Sequence, residues 1–130
     1  MLYELAHWLQ AKCPWMWEAV EELNAVACGV KIGEKRKLLE VLPNGVRLAD
    51  LNDAGRLADF FARQPEESYR WFRPHAFDEA TMRRLLTRRS YIVFVQEENG
   101  EIIGYAFLRC FINGKSFLGK MVDVNHQGKG

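Results

Sequence analysis

The last four residues of the chain, Gln127-Gly128-Lys129-Gly130, follow an apolar segment that has the pattern of a strand. Glycine takes positive φ angles and lets the backbone approach a ligand, so successive amide hydrogens can point at one anion. Such a turn normally opens a helix whose N-terminal amides complete the anion site. The sequence therefore predicts the first half of a phosphate-binding turn, and we expect the chain to be a fragment of a longer protein.

Two side chains near this turn or before it could act as a general base. Asp123 lies at the end of the apolar segment, and a carboxylate can accept a proton directly or through water. His75 lies in an aromatic segment, Trp71–Asp78, and an unperturbed histidine titrates near neutrality. A histidine after a proline is also often a loop residue with satisfied hydrogen bonds, so a purely structural role for His75 stays open.

Composition and charge disfavour several classes of function. Eighteen basic and seventeen acidic side chains leave a net charge of +1, which gives no electrostatic basis for binding nucleic acid or an anionic membrane. No apolar run is long enough to span a bilayer, and the N-terminus lacks a basic leader region, so we expect a cytoplasmic protein. Cys13, Cys28 and Cys110 form no zinc-type cluster, so we expect no metal.

Residues 1–44 have a helical pattern and are expected to form an extension and linker outside the main domain. Apolar side chains recur every three or four positions over residues 2–27, and Pro14 predicts a break into two short helices. Gly29–Pro43 is interpreted as a basic connector with a short helical piece at Glu34–Leu42. Three of the four tryptophans widen the apolar face, so we expect the extension to pack on the main domain or on a second subunit of a homodimer.

From residue 45 to residue 130 the pattern is that of an α+β domain. The predicted elements are a strand at Val46–Ala49, a helix from Asp50 or Asn52 to Gln64, a helix from Asp78 to Arg89, and strands at Tyr91–Gln96, Ile102–Phe111 and Phe117–Val124. The predicted inward face of the first helix consists of Leu51, Ala54, Leu57, Ala58 and Phe61. Asn99-Gly100 and Asn113-Gly114 predict the turns of an antiparallel meander, after which the glycine turn follows.

These motifs resemble the GCN5-related N-acetyltransferases, the GNAT superfamily. Glu98–Tyr105 is similar to the central hairpin of the family, and Arg47–Ala54 is similar to its opening strand and helix. Residues 127–130 match the first four places of the signature Arg or Gln, two residues, Gly, one residue, Gly or Ala. The resemblance covers residues 45–130. It implies the N-terminal part of a mainly antiparallel GNAT-like sheet with flanking helices, cut within the motif that binds the pyrophosphate.

The resemblance implies acetyl transfer from acetyl-CoA, as co-substrate, to an amine and less often to a hydroxyl. The implied pyrophosphate-binding positions are Gln127, Gly128, Lys129 and Gly130. A main-chain amide of the preceding strand donates to the thioester carbonyl in this family and stabilises an oxyanion, for which Met121 and Val122 are the candidates. Both residues are also explained by burial in a central strand. Asp123 and His75 become the candidates for the catalytic base.

Two departures from the family pattern matter. Val124 stands where many members have proline, and the C-terminal half of the domain, including a tyrosine that often protonates the thiolate, has no counterpart here. We therefore expect the fragment itself to be inactive and to self-associate through an uncovered strand edge. The arginines at positions 83, 84, 88 and 89 could attract an acidic acceptor, although a solvated helix face is the favoured explanation.

Two functions stay open at this point. The first is an N-acetyltransferase (a transferase of the acyltransferase class) for a small-molecule amine such as an amino sugar, which the aromatic segment around His75 favours. The second is a non-catalytic acetyltransferase-like module that binds a protein through its N-terminal helices. An apolar residue, then Gly or Ala, then an amphipathic helix after Gly130 would favour the enzyme.

Overall fold

The computed structural model describes residues 1–32 and 41–128, with the backbone alone for residues 28–32. Its helices are α1 (Leu2–Lys12), α2 (Pro14–Ile32), α3 (Asp53–Arg63) and α4 (Glu79–Thr87). Its strands are β1 (Val46–Leu48), β2 (Tyr91–Glu98), β3 (Glu101–Cys110) and β4 (Ser116–Val122). Short 3-10 turns lie at Glu66–Tyr69 and Val124–His126. This is the predicted α+β arrangement. None of the helices within the described ranges combines the length and the apolarity that a bilayer span requires.

The N-terminal helices meet where proline predicts a break. Helix α1 ends at Lys12 and α2 begins at Pro14, a first-turn position at which proline leaves no hydrogen bond unmade. Helix α2 continues to Ile32, past the predicted start of the connector at Gly29. A single helical glycine costs only about 1 kcal/mol relative to alanine, which packing of the rest of a helix can offset. The predicted helical piece at Glu34–Leu42 falls almost entirely outside the described residues.

The four strands form one antiparallel sheet in the order β1-β2-β3-β4. The β2–β3 turn has positive φ at both Asn99 (52°) and Gly100 (77°), the conformation that matches the twist of a two-residue hairpin. A bulge lies between Gln96 and Glu97 where β2 pairs with β3. Cross-strand partners share a face, so Val93, Phe107 and Gly119 form one row across the sheet.

The core lies between one face of the sheet and the helices α3 and α4. Its fully buried side chains include Leu57, Phe60, Met82, Val95 and Phe107. The register places Phe94, Ala106 and Lys120 in a row on the opposite face, where they are partly or fully exposed. Thus the helices that follow β1 cover one face of the sheet, and β4 is its edge strand.

The two domain helices begin in different ways. Asp78 caps α4 as predicted, because its Oδ2 accepts a hydrogen bond from the Thr81 amide at 3.1 Å. Asn52 occupies the N-cap position of α3 without a side-chain cap bond. Asp53 instead accepts from the Asp50 amide at 2.8 Å and forms ion pairs with two arginines. An ion-pair cluster therefore holds the start of α3.

Helix α2 contacts the end of the sheet through polar side chains. Glu21 is buried and forms ion pairs with Arg88, at 3.4 Å, and with Arg109 of β3. The Asn24 side chain donates to the Cys110 carbonyl at 3.1 Å and accepts from the Ile112 amide at 3.1 Å. These contacts show the extension packed on the sheet domain. The predicted boundary between residues 44 and 45 stays a prediction.

Candidate functional site: the end of β4 and the glycine turn

The pairing of β4 with β3 decides where each β4 amide points. The Asp123 N–H donates to the Ile103 carbonyl at 2.8 Å. The backbone N–H groups of an antiparallel strand point alternately towards and away from the partner strand. Because the Asp123 N–H points at β3, the Met121 N–H does so too, and the Val122 N–H points away from β3. The Val122 carbonyl also points away, because it accepts from Gln127 Nε2 at 3.1 Å. Of the two predicted amide donors, Val122 is the one at the outer edge of the described sheet.

The segment after β4 is held in a compact turn. Asp123 Oδ1 accepts from the Asn125 amide at 2.9 Å, and the Asp123 carbonyl accepts from the His126 amide at 2.9 Å. Gly128 has a φ of +76°, which side-chain-bearing residues rarely adopt. The structure thus shows the positive-φ glycine that the sequence predicted. Lys129 and Gly130 lie outside the described residues.

A cleft of about 420 Å³ lies between this turn and the end of β2. Its walls include Gly45 and Gln96 on one side and Val122, Gln127 and Gly128 on the other. Three of the predicted binding positions therefore line one concave surface. Met121 is instead buried, with its side chain in the core.

The Asp123 carboxylate is buried, with 7% exposure, and accepts several hydrogen bonds. Gln64 Nε2 donates to it at 2.9 Å, and the Asn125 amide and His126 Nδ1 donate at 2.9 and 3.1 Å. The bond from Gln64, followed by those from Asn125 and His126, holds the pKa of Asp123 below its usual value. A carboxylate stabilised in this way stays ionised and is a weak base.

The His75 ring lies among aromatic side chains on the core face of the sheet. Nδ1 is 2.6 Å from the Ala76 carbonyl, which can only accept, so Nδ1 carries the proton. Nε2 is 2.8 Å from the Tyr105 hydroxyl and accepts its hydrogen bond. Burial lowers the pKa of His75 below the ordinary value, so the ring is neutral at pH 7. His75 and Asp123 therefore belong to separate hydrogen-bond networks.

We expect the imidazole of His75 to titrate below the ordinary histidine pKa of about 6.5. The buried ring resists charging in the folded state only. Its contribution to stability is therefore complete above the unfolded pKa and is lost as the pH falls through the lower folded pKa. Nuclear magnetic resonance titration of the ring protons measures the midpoint.

A Tyr105→Phe variant is the matched control for that titration. It removes the hydroxyl that donates to the neutral ring, so the pKa of His75 should rise. Burial is the larger cause and remains, so the midpoint should stay below the ordinary value. A wild-type midpoint at or above that value would contradict a neutral, buried His75.

Sequence reasoning missed Gln64 as a residue of this region. It follows α3, is buried with 6% exposure, and its side chain contacts both Asp123 and the Val124 amide. A polar residue at the end of an amphipathic helix usually faces solvent. The weak signal in the sequence is that Gln64 continues the spacing of the buried positions Phe60 and Phe61.

Comparisons with solved structures identify the fold. No protein-family model matches the chain, and no curated protein is detectably similar to it. The ribosomal-protein-S5-alanine acetyltransferase from Vibrio fischeri matches at 22% identity and a TM-score of 0.52, over 65% of this chain and 55% of that one. The GNAT domain of S. lividans PAT matches at 24% identity and a TM-score of 0.52, over 64% and 55%.

The chain therefore has the fold of the GNAT acetyltransferases, as the sequence motifs predicted. It spans 55% of the length of each of these two solved structures. At this level of identity the likeness concerns the fold, and the activity of the whole protein has to be inferred from the site.

Proposed function

We propose that the protein containing this chain is an acetyl-CoA-dependent N-acetyltransferase. One observation carries the proposal: an outward-pointing amide, that of Val122, and a positive-φ glycine turn lie at the same end of β4 in a GNAT fold. An amide on the strand suits a carbonyl oxygen that gains negative charge, and amides of a turn suit a phosphate. These two donors would lie along a single extended ligand.

The residues at this end of β4 fit acetyl-CoA, which supplies the activated acetyl group. Gln127 and Gly128 line the cleft and would hold the pyrophosphate together with Lys129 and Gly130. Val122 would donate to the thioester carbonyl, because its N–H points away from β3. We assign Met121 to the packing beneath this strand, since its N–H points at β3 and its side chain is in the core.

For the catalytic base we favour His75 over Asp123. The His75 imidazole is neutral at pH 7 and can take up a proton at Nε2 in exchange for the hydrogen bond that this atom accepts from Tyr105, while the Ala76 carbonyl fixes its tautomer. Asp123 has a lowered pKa and three donors, so its contacts suit a residue that holds the turn. Both assignments stay predictions.

The acceptor that we propose is a small-molecule amine. Phe117 of β4 is half exposed on the face that also carries Phe107 and His75, with the Phe107 and Phe117 rings 5.9 Å apart. Such a surface suits an acceptor with an apolar or ring-shaped body, including an amino sugar. The Vibrio fischeri enzyme is named for an alanine of ribosomal protein S5, so a protein N-terminus is the second acceptor class to test.

A non-catalytic binding module remains the alternative, and the N-terminal helices favour it. Trp15 and Leu23 are 73% and 72% exposed, and α1 buries no side chain. Exposed apolar surface of this kind often marks a contact with another protein. A homodimer and a cytoplasmic location stay predictions under either function.

We expect Gly128→Ala to weaken acetyl-CoA binding by about fivefold to thirtyfold. An added Cβ at Gly128 would meet no atom of the described residues beyond its chain neighbours within 4 Å, so the cost is conformational and amounts to about 1–2 kcal/mol. The alanine variant would leave the left-handed conformation when free and would have to regain it on binding. Isothermal titration calorimetry with acetyl-CoA measures the difference.

Gly100→Ala provides a matched control for this experiment. Gly100 has nearly the same φ, +77°, and equally open surroundings, but it lies in the β2–β3 turn. Its variant should lose stability and keep its affinity for acetyl-CoA. Equal losses of affinity in the two variants would count against the glycine turn as the pyrophosphate site. Mass spectrometry of amines and N-terminal peptides incubated with acetyl-CoA and the whole protein that contains this chain then distinguishes the two acceptor classes.

A further inference from the structure

We infer that Gln64 is a positioning residue that fixes the end of β4 and the glycine turn against helix α3. The inference rests on the proposed function, because the turn and the Val122 amide are the groups that it positions. Gln64 is not among the described residues that line the cleft. It acts through Asp123 and Val124.

All the polar groups of the Gln64 side chain are used. Nε2 donates to the Phe60 carbonyl at 3.1 Å and to Asp123 Oδ2 at 2.9 Å. Oε1 accepts from the Val124 amide at 3.0 Å. The side chain therefore closes a bridge between the last turn of α3 and two successive residues that follow β4.

This bridge requires a carboxamide. It must donate to a carboxylate and accept from an amide at the same time, which an ionised glutamate cannot do. A leucine of similar size would leave the buried Asp123 carboxylate with one donor fewer and the Val124 N–H without its acceptor. Burying such groups without partners is costly, so the segment would shift to reach water.

The bridge connects to the proposed cofactor site through short steps. Asp123 follows Val122 directly, and its N–H to the Ile103 carbonyl sets the direction of the Val122 N–H. Asp123 also caps the turn Val124–His126, after which Gln127 returns to the Val122 carbonyl. A displacement of Asp123 or Val124 would thus move both donors of the site.

A Gln64→Glu variant tests the inference within one folded molecule. When it is ionised, the introduced carboxyl group would face the Asp123 carboxylate and lose the bridge. When it is protonated, the same group could donate to Asp123 and still accept from Val124, so acid should restore the bridge. We expect the hydrogen-exchange protection of the Val124 amide to fall about tenfold at about pH 8 and to recover towards about pH 5.

Other ionisable groups near Asp123 require a reference at each pH. His126 Nδ1 contacts Asp123 and its Nε2 lies 3.3 Å from Glu98, so two further ionisable side chains lie close to the bridge. The protection of Val124 in each variant is therefore divided by that of the wild-type chain at the same pH. Gln64→Leu should show the loss at every pH, because it has no group to protonate.

Arg63→Leu is the control for a general loosening of the end of α3. Arg63 donates to the Ile102 carbonyl at 3.0 Å and pairs with Glu101, and neither of these contacts involves the described turn residues 123–128. Its variant should leave the protection of Val124 unchanged. Wild-type protection in Gln64→Leu, or the same loss in Arg63→Leu, would overturn the role of Gln64.

Acetyl-CoA affinity separates this inference from the proposed function. We expect Gln64→Leu to weaken binding about tenfold, in step with the loss of protection at Val124. Lost protection with unchanged affinity would overturn the positioning role and leave Gln64 as a structural tie. If the whole protein that contains this chain binds no acetyl-CoA, the proposed function fails, while the exchange rates still decide whether Gln64 holds the turn.

Discussion

Replacement of Gly119 with alanine is expected to destabilise the chain by about 1–3 kcal/mol or more. A Cβ at this position would lie 2.3 Å from Cε1 and 2.6 Å from Cζ of the Phe107 ring. Real side chains do not approach so closely, so the ring or the strand would have to move. Gly119 is therefore required for space, because the ring of its cross-strand partner lies over it.

The Phe107 ring has little freedom to move. It is 1% exposed and lies within 6 Å of the rings of Tyr91, Tyr105, His75 and Phe117. A methyl group at residue 119 would therefore disturb the same aromatic cluster that holds His75. We expect the loss of stability to be accompanied by a change in the environment of the His75 ring.

Urea unfolding measures this effect, with Gly55→Ala as the matched control. Gly55 lies inside α3, and its Cβ would lie 3.6 Å from the Glu79 carboxyl group, an ordinary contact. That variant should gain about 0.5–1 kcal/mol, because alanine forms helices better than glycine. A Phe107→Leu change should lessen the damage of Gly119→Ala when the two are combined. Wild-type stability of Gly119→Ala would show that β4 does not pack against Phe107 in this register.

Local signals explain the parts of the fold that the sequence predicted. Pro14 marks the start of α2, Asp78 caps α4, and Asn99-Gly100 turns the hairpin, each through a preference of a few neighbouring residues. The inward face of α3 was less well predicted. Leu51 precedes the helix and is exposed, whereas Phe60 is fully buried, because the helix begins at Asp53 and its face is set by the sheet beneath it.

The candidate site shows the same division between local and distant causes. The glycine turn was predicted from its composition, and Gly128 has the expected positive φ. The pairing of Asp123 with Ile103 determines which β4 amide points outwards. This register cannot be predicted from the local sequence pattern alone. Gln64 reaches Asp123 across 59 positions of the chain, so only the assembled fold shows the contact.

The second large loss of stability is expected from breaking the ion-pair cluster at the start of α3. Asp53 is 2% exposed, and its two oxygens accept from Arg47 Nη2 and Nη1 at 2.7 Å each. Arg56 adds a bond at 3.0 Å, and Glu97 of β2 pairs with both arginines. The cluster therefore ties β1, α3 and β2 together beside the bulge at Gln96 and Glu97.

Asp53→Ala is expected to destabilise the chain by about 3 kcal/mol, because it leaves Arg47 and the Asp50 amide without their shared acceptor. Asp53→Asn keeps the shape of the side chain and one acceptor oxygen, and it replaces the charge and the second acceptor with a neutral NH2 group, so it should lose less than Asp53→Ala. Asp59→Asn changes an exposed carboxylate of the same helix and should stay within about 0.5 kcal/mol of the wild type. Denaturant unfolding of the three variants gives these differences.

The wild type should be more stable than Asp53→Asn at neutral pH, and acid should remove this difference in unfolding free energy. The bond from Arg47 is the largest of the causes that hold the pKa of Asp53 below its ordinary value. A carboxyl with a lowered folded pKa stabilises the fold fully above its unfolded pKa, and this contribution is lost as the pH falls through the folded pKa. Asp78 also has a lowered pKa, but its carboxylate lies outside the cluster, so its titration cancels in the difference. Glu97 shares Arg47 and Arg56 with Asp53, so the two carboxylates titrate as a coupled pair and the gap reports the charge of the cluster. The gap in unfolding free energy should therefore be full at neutral pH and should shrink below about pH 4. A gap that persisted unchanged in acid would show that Asp53 stabilises α3 through its shape and hydrogen bonds, and that its charge contributes little.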